Sequence, residues 1–300
     1  MSVPASDPIA SAALPAGTAA PRGAGVFRQI ARDPMGLLGL TLATLLVVTG
    51  LFADWLAPYD PIGIDVRNRF ADPSWAHPLG TDNLGRDLLS RVIAGSQIAL
   101  IVAFCTTFLA MIGGLVLGLI AGYGPRWLDN TLLLLFDSIY SFPYIMLALA
   151  VITLFGSSFF IVILVIAVTT LPAYARLVRT STLGIKNSEF VLAERSLGAR
   201  APRILFRHIM PNILGPLLII VSMDIPVVIT VEAGLSFLGL GVPPPAPSWG
   251  RILNEGYSFI RQSYWIVIAG GLPLILATLG FTFLGESLRD IFDPKLRKRG

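Results

Sequence analysis

Long apolar runs dominate this chain, and polar residues gather in the segments between them. A helix that crosses a bilayer needs about 20 apolar residues. Six stretches supply that length: 37–57, 97–122, near 131–155, near 159–175, near 212–235, and 265–285. The pattern predicts an all-α polytopic membrane protein with six transmembrane helices. Gly114, Gly118 and Gly122 recur every four residues in the second run, a spacing that lets a neighbouring helix approach closely, here read as packing within one subunit. Pro143, Pro172, Pro216 and Pro226 fall inside runs and are read as kinks packed against neighbours, with a pathway or hinge as the alternative. Three carboxylates also fall in or beside spans: Asp137 near a cytoplasmic end, Glu232 near an outer end and Asp224 deep within its run.

Composition supports the bilayer as solvent. Of 300 residues, 54% are hydrophobic and 13% charged, against about 25% charged in soluble domains, and the mean hydropathy is +0.75. The net charge of +4 matters less than its placement. Sixteen Lys and Arg lie in the amino-terminal stretch, the 123–130 turn, the 176–208 segment and the carboxyl tail, and six lie elsewhere. The positive-inside rule then puts both termini in the cytoplasm, with 58–96 and 236–264 outward. Residues 1–27 are rich in Ala, Pro, Ser and Gly, without the basic start and apolar core of a cleavable signal peptide, and read as a disordered cytoplasmic tail. Residues 28–96 hold the first span and an outer segment, 97–285 the core transmembrane domain with the 187–211 loop, and 286–300 a basic cytoplasmic tail.

In the outer segment HPLGTDNLGRDLLSR, 77–91, Asp82 and Arg86, and Asp87 and Arg91, stand four apart. That is a helix-face spacing, which predicts a solvated or interfacial helix. The other outer stretch, GLGVPPPAPSWG, is a proline-stiffened loop whose Trp249 is placed at headgroup level.

One cytoplasmic stretch differs from its surroundings: ERSLGARAPRILFRHIMPN, 194–212, carries Glu194, Arg195, Arg200, Arg203, Arg207 and His208. Asn187 and Ser188 are cap residues ahead of EFVLAERSL. Phe190, Ala193 and Leu197 share one helix face, and Glu194 and Arg195 lie off it. Gly198 stands between two helix signals, where a left-handed φ closes the first helix, and Pro202 opens the second. The apolar face needs a cover, either the membrane surface or a groove on a partner. A corner that returns the chain to a span favours the groove.

This stretch resembles the cytoplasmic loop of permease subunits in bacterial ABC importers. The family pattern is roughly Glu-Ala-Ala, three residues, Gly, nine residues, Ile, one residue, Leu-Pro. Ala193, Gly198 and Pro211 match it with the spacing kept, whereas Leu192, Glu194, His208 and Met210 depart from it. HPLGTDNLGRDLLSR, LSFLGLGVPPPAPSWG and LGESLRDIFDPKLRKR are similar to segments of the dipeptide, oligopeptide and nickel subfamily, C-type subunit, as is FRHIMPN. The likeness runs from about 28 to 299. It implies a type I importer permease in the bacterial inner membrane, forming half a pore with a homologous B-type subunit. Two cytoplasmic ATPases and an external solute-binding protein complete the assembly. It implies that 187–211 is a coupling helix seated in an ATPase cleft, with Ala193, Glu194, Arg195, Gly198 and Pro211 as the coupling residues. ATP and magnesium then belong to the partner ATPases, and this chain binds no cofactor.

The residues agree with a non-catalytic subunit. There is no G-x-x-x-x-G-K-[ST] loop, and Lys186, Lys295 and Lys298 never follow a glycine, as a phosphate-cradling loop requires. His77 and His208 fall on opposite sides of the membrane and Cys105 is the one cysteine, so neither a metal site nor a Ser-His-Asp hydrolase is expected. No nucleic-acid partner is implied. The rival reading is a proton-coupled carrier built on the span carboxylates. The cargo is not readable from these motifs.

Overall fold

The computed structural model describes residues 28–292. The expected tail, 1–27, and the Lys and Arg of the carboxyl tail beyond 292 lie outside those residues. Nine helices organise the described chain: α1 Pro34–Leu51, α2 Leu88–Tyr123, α3 Arg126–Tyr140, α4 Tyr144–Phe155, α5 Phe159–Ile185, α6 Glu189–Ser196, α7 Ala201–Phe237, α8 Trp249–Ser258 and α9 Trp265–Phe292. A short helical turn, Ala53–Leu56, follows α1. Five helices (α1, α2, α5, α7 and α9) are long and apolar enough to cross a bilayer.

The expected continuous third span is broken. Its two halves, α3 and α4, meet at 88°. Pro143 lacks an N–H and disfavours helical backbone at Phe142, so the helix stops at Tyr140 and restarts at Tyr144. The other prolines behave differently: Pro172, Pro216 and Pro226 stay inside continuous helices. The sixth run also continues past 285, as helix to Phe292.

The most extensive helix pairing joins α2 to α5, and the glycine row makes it. A Cβ on Gly118 would stand 2.6 Å from the Ala175 carbonyl oxygen and the Val178 Cβ, and one on Gly122 would stand 2.6 Å from the Thr182 Cβ. The seam is internal to this subunit, and it holds the end of α2 beside the end of α5, from which the 187–211 corner leaves.

At the other end the structure corrects the reading of 77–91. This segment is not a helix until Leu88. Gly80 and Gly85 take φ of 79° and 77°, which a helix cannot contain. Asp82 is buried, and its Oδ1 accepts from the backbone N–H of Leu84 and Arg86 at 2.8 and 3.0 Å. Its Oδ2 takes Arg86 Nε at 2.6 Å and also Arg91 Nη1. Asp87 does not pair with Arg91. It caps α2, accepting from the N–H and hydroxyl of Ser90 at 2.8 and 2.7 Å. Glu255 on α8 completes the cluster, accepting from Arg91 at 2.6 Å, Arg86 at 3.0 Å and Arg251 at 3.2 Å. Trp249 is likewise not a headgroup anchor. It is buried against Gly95, and its Nε1 donates to the Val92 carbonyl at 3.0 Å. The two outer stretches are thus one unit clamped onto α2.

Burial pushes the Glu255 carboxyl up, but the hydrogen bond from Arg91, the charges of Arg91 and Arg86, and the Arg251 hydrogen bond pull it down and win, so it sits below the ordinary 4.5. A depressed carboxylate stabilises the fold above its unfolded value and loses that contribution as pH falls through its folded value.

Two outcomes follow for the purified protein. Gly118→Leu overpacks the seam and lowers the thermal midpoint, with a cost of about 1–3 kcal/mol or more. Gly184→Ala, where an added methyl meets nothing within 4 Å, leaves the midpoint unchanged or slightly raised. Glu255→Gln strips a buried cluster of one partner, at about 3–5 kcal/mol, and makes the outer segment protease-sensitive at neutral pH. The wild-type segment reaches that sensitivity only as pH drops below 4.5, and a variant as resistant as wild type at pH 7 contradicts the assignment.

Candidate functional site

Residues 187–211 form the corner predicted for them. Helix α6 has Ser188 in the N-cap position, with Glu189 in its first turn and Arg195 in its last, each sign matching the helix dipole. The Ser188 hydroxyl does not cap α6. It turns back and donates to the Ile185 carbonyl at 2.7 Å, closing the end of α5.

The helix ends in a Schellman turn. Ala199 N–H bonds the Glu194 carbonyl and Gly198 N–H bonds the Arg195 carbonyl, both at 3.0 Å. This pair of bonds requires a left-handed residue between them, and Gly198 has φ 83°. The next helix opens at Ala201 with Pro202 in its first turn. It widens into one π turn over Leu205–Ile209 before Pro211. Pro211 has no N–H for the Arg207 carbonyl and its ring crowds that oxygen, and the wider turn lets the helix pass. The Asn212 amide donates to the His208 carbonyl at 2.6 Å.

The corner is seated firmly. Val191, Ile204 and Ile209 are fully buried in one cluster with Tyr174 and Val178 of α5 and Ile213 of α7. Lys186 Nζ donates to the Gly122 carbonyl at the end of α2 at 2.7 Å. Arg179 holds Asp129 of α3 with both ends of its fork, Nη2 to Oδ2 at 2.7 Å.

The expected coupling residues divide into two groups. Ala193 is exposed, and with Phe190 (48% exposed) and Leu197 (85%) it forms a bare apolar face. Gly198 and Pro211 are also exposed, but Pro211 lies in α7 beyond the π turn rather than in the corner. Glu194 and Arg195 turn back onto their own subunit. Glu194 approaches His208 Nε2 at 3.2 Å, a close polar contact rather than an aligned hydrogen bond. The Arg195 guanidinium lies 5.2 Å from the centre of the Tyr123 ring, a cation–π distance.

Sequence reasoning did not single out Asp129, Arg179 or Lys186. Their partners lie 50 and 64 residues away, and no local pattern carries such pairs. The whole arrangement presents an exposed, mostly apolar helix face on a basic support.

Comparison with known proteins agrees with this geometry. Residues 114–298 match the family model described as binding-protein-dependent transport system inner membrane component. Residues 23–73 match the N-terminal transmembrane domain of oligopeptide transport permease C. The chain is 35% identical over 271 residues to the dipeptide transport system permease protein DppC of Alkalihalophilus pseudofirmus, covering 90% of this chain and 89% of that one. It is 38% identical over 272 residues to the glutathione transport system permease protein GsiD of Pectobacterium atrosepticum, covering 90% of each. In fold it is similar to a chain of the inward-facing MetNI methionine ABC transporter, with TM-score 0.55 at 20% identity over 69% of this chain and 96% of that one. The bilayer-length helices, the seated corner and these matches together show that the chain belongs to the binding-protein-dependent transport system inner membrane components, as a C-type permease subunit of an ABC importer.

Proposed function

We propose that this chain forms half of the translocation pathway for peptides, or a related small solute, and that 187–211 docks a cytoplasmic ATPase. The peptide reading rests on relatives whose names specify dipeptide and glutathione transport. The observation that carries the docking reading is the bare face of Phe190, Ala193 and Leu197 on a helix whose opposite side is locked by Val191, Ile204 and Ile209. A face so exposed beside so rigid a seat transmits a push from outside to α5 and α7 rather than absorbing it. ATP and magnesium are held by the partner ATPases, a homologous permease supplies the other half of the path, and an external binding protein delivers solute to the unit built from 58–96 and 236–264. Both termini are cytoplasmic, following the Lys and Arg distribution. The family assignment sets the proton-coupled carrier aside, and uptake should survive collapse of the proton gradient while ATP remains.

The Gly198 corner gives the direct test. A Cβ there meets no atom within 4 Å, so any effect of substitution comes through backbone conformation. A left-handed φ costs an ordinary residue about 1–2 kcal/mol, and a β-branched one more. Gly198→Val should leave the protein inserted and stable yet lose co-purification of the ATPases and ATP-driven uptake. Glu194→Lys, which disturbs only the His208 contact, should weaken both less. Full retention of the ATPases with normal uptake in Gly198→Val would falsify the docking assignment. Reporter fusions at Gly300 and in the 243–247 proline run should give opposite signals, and matching signals contradict the proposed orientation.

A further inference from the structure

Resting on the reading of this chain as half a peptide pathway, we propose that Asp224 is a binding subsite for the protonated amine of the transported solute. Asp224 sits at the middle of the stretch Met210–Phe237. At 1.5 Å per residue it is about 20 Å from either end, well inside the hydrocarbon region. A carboxylate at that depth is costly unless it faces a cavity or a partner charge.

It faces a cavity. A space of about 240 Å³ opens between the broken third span, α5 and α7, lined by Asp224, Tyr140, Tyr144, Thr169 and Thr170 among apolar residues. The break itself shapes this wall. Tyr140 is the last residue of α3 and Tyr144 the first of α4, so the 88° turn brings two aromatic side chains to one space. Non-helical backbone at membrane depth is tolerated where it lines such a cavity.

The two other span carboxylates singled out from the sequence are engaged. Asp137 pairs with Arg176 at 2.5 Å, and Glu232 accepts from the Ser236 hydroxyl at 2.6 Å. Among the described residues no cation lies within ion-pair distance of Asp224. The buried Tyr174 hydroxyl lies beside Asp224 and is its one neighbouring donor among the described residues, but it is not aligned in a well-formed hydrogen bond, so the carboxylate keeps acceptor capacity toward the cavity. One unneutralised carboxylate, flanked by tyrosine rings and threonine oxygens, is the chemistry that recognises an ammonium group: charge from the Asp, ring faces from the Tyr. A solute presenting only anionic groups is repelled there. The free amino terminus of a di- or tripeptide fits this description.

The test uses the complete transporter, with companion permease, ATPases and binding protein, reconstituted in liposomes and offered alanyl-alanine, trialanine or glutathione. Wild-type uptake of at least one of these establishes the peptide reading, and uptake of none overturns that reading and the subsite together. Given uptake, Asp224→Asn should cut it by about tenfold or more, the size expected for loss of one charge-assisted hydrogen bond. The thermal midpoint and assembly with the companion permease should stay as in wild type, and Asp224→Glu should recover much of the uptake. Unchanged uptake in Asp224→Asn overturns the subsite alone. An Asp224→Asn chain that no longer assembles with the companion permease also overturns it, and assigns the carboxylate to an ion pair between subunits.

Discussion

The bilayer core offers no hydrogen bonds, so every backbone polar group within it must be satisfied by the chain itself. Most of this architecture follows from that constraint. It makes α1, α2, α5, α7 and α9 long and largely unbroken, and it pushes buried charge clusters to the ends. The Asp82, Arg86, Arg91 and Glu255 cluster sits at the Leu88 end of α2. The Arg179–Asp129 pair and the Lys186–Gly122 bond sit at its Tyr123 end. The one sharp break, at Pro143, borders a cavity lined by polar side chains.

Each end of the molecule is therefore a rigid plate rather than a loose loop. At the end that carries the corner, the glycine seam between α2 and α5 sets the distance between two helix ends, and the Schellman corner rests on both. Helix α6 is held there by Val191, which is fully buried with Ile204 and Ile209 against α5 and α7. At the opposite end the ion cluster ties 58–96 to 236–264. The broken third span and Asp224 lie between the two ends, where a solute passes in the proposed pathway.

Much of this was legible in the sequence, and the limits are physical. Run length alone located the spans, because hydrocarbon thickness dictates it. Gly198 was readable because a glycine between two helix signals has few other uses. The row Gly114, Gly118 and Gly122 was readable because a four-residue period admits a close neighbour. Three features were misread or missed. The spacing of Asp87 and Arg91 looked helical, but Gly80 and Gly85 turn the backbone and reassign both side chains. Pro143 looked like the other span prolines, and only packing distinguishes a kink from a break. The contacts of Glu194 with His208 and of Arg195 with Tyr123 were not read from the sequence, the first because it closes across the Gly198 corner and the second because Tyr123 ends another helix. Local patterns reveal elements and caps. They do not reveal which charges meet across 50 residues or more.

The central claim is that the bare face of α6 is covered by an ATPase in the working transporter. Maleimide labelling of Leu197→Cys, in a Cys105→Ser background, measures this most directly. Leu197 is 85% exposed in this subunit, so the account predicts rapid labelling of the permease pair alone and strong protection once the ATPases are bound, with Val191→Cys slow in both. Equal labelling of position 197 with and without the ATPases would contradict it.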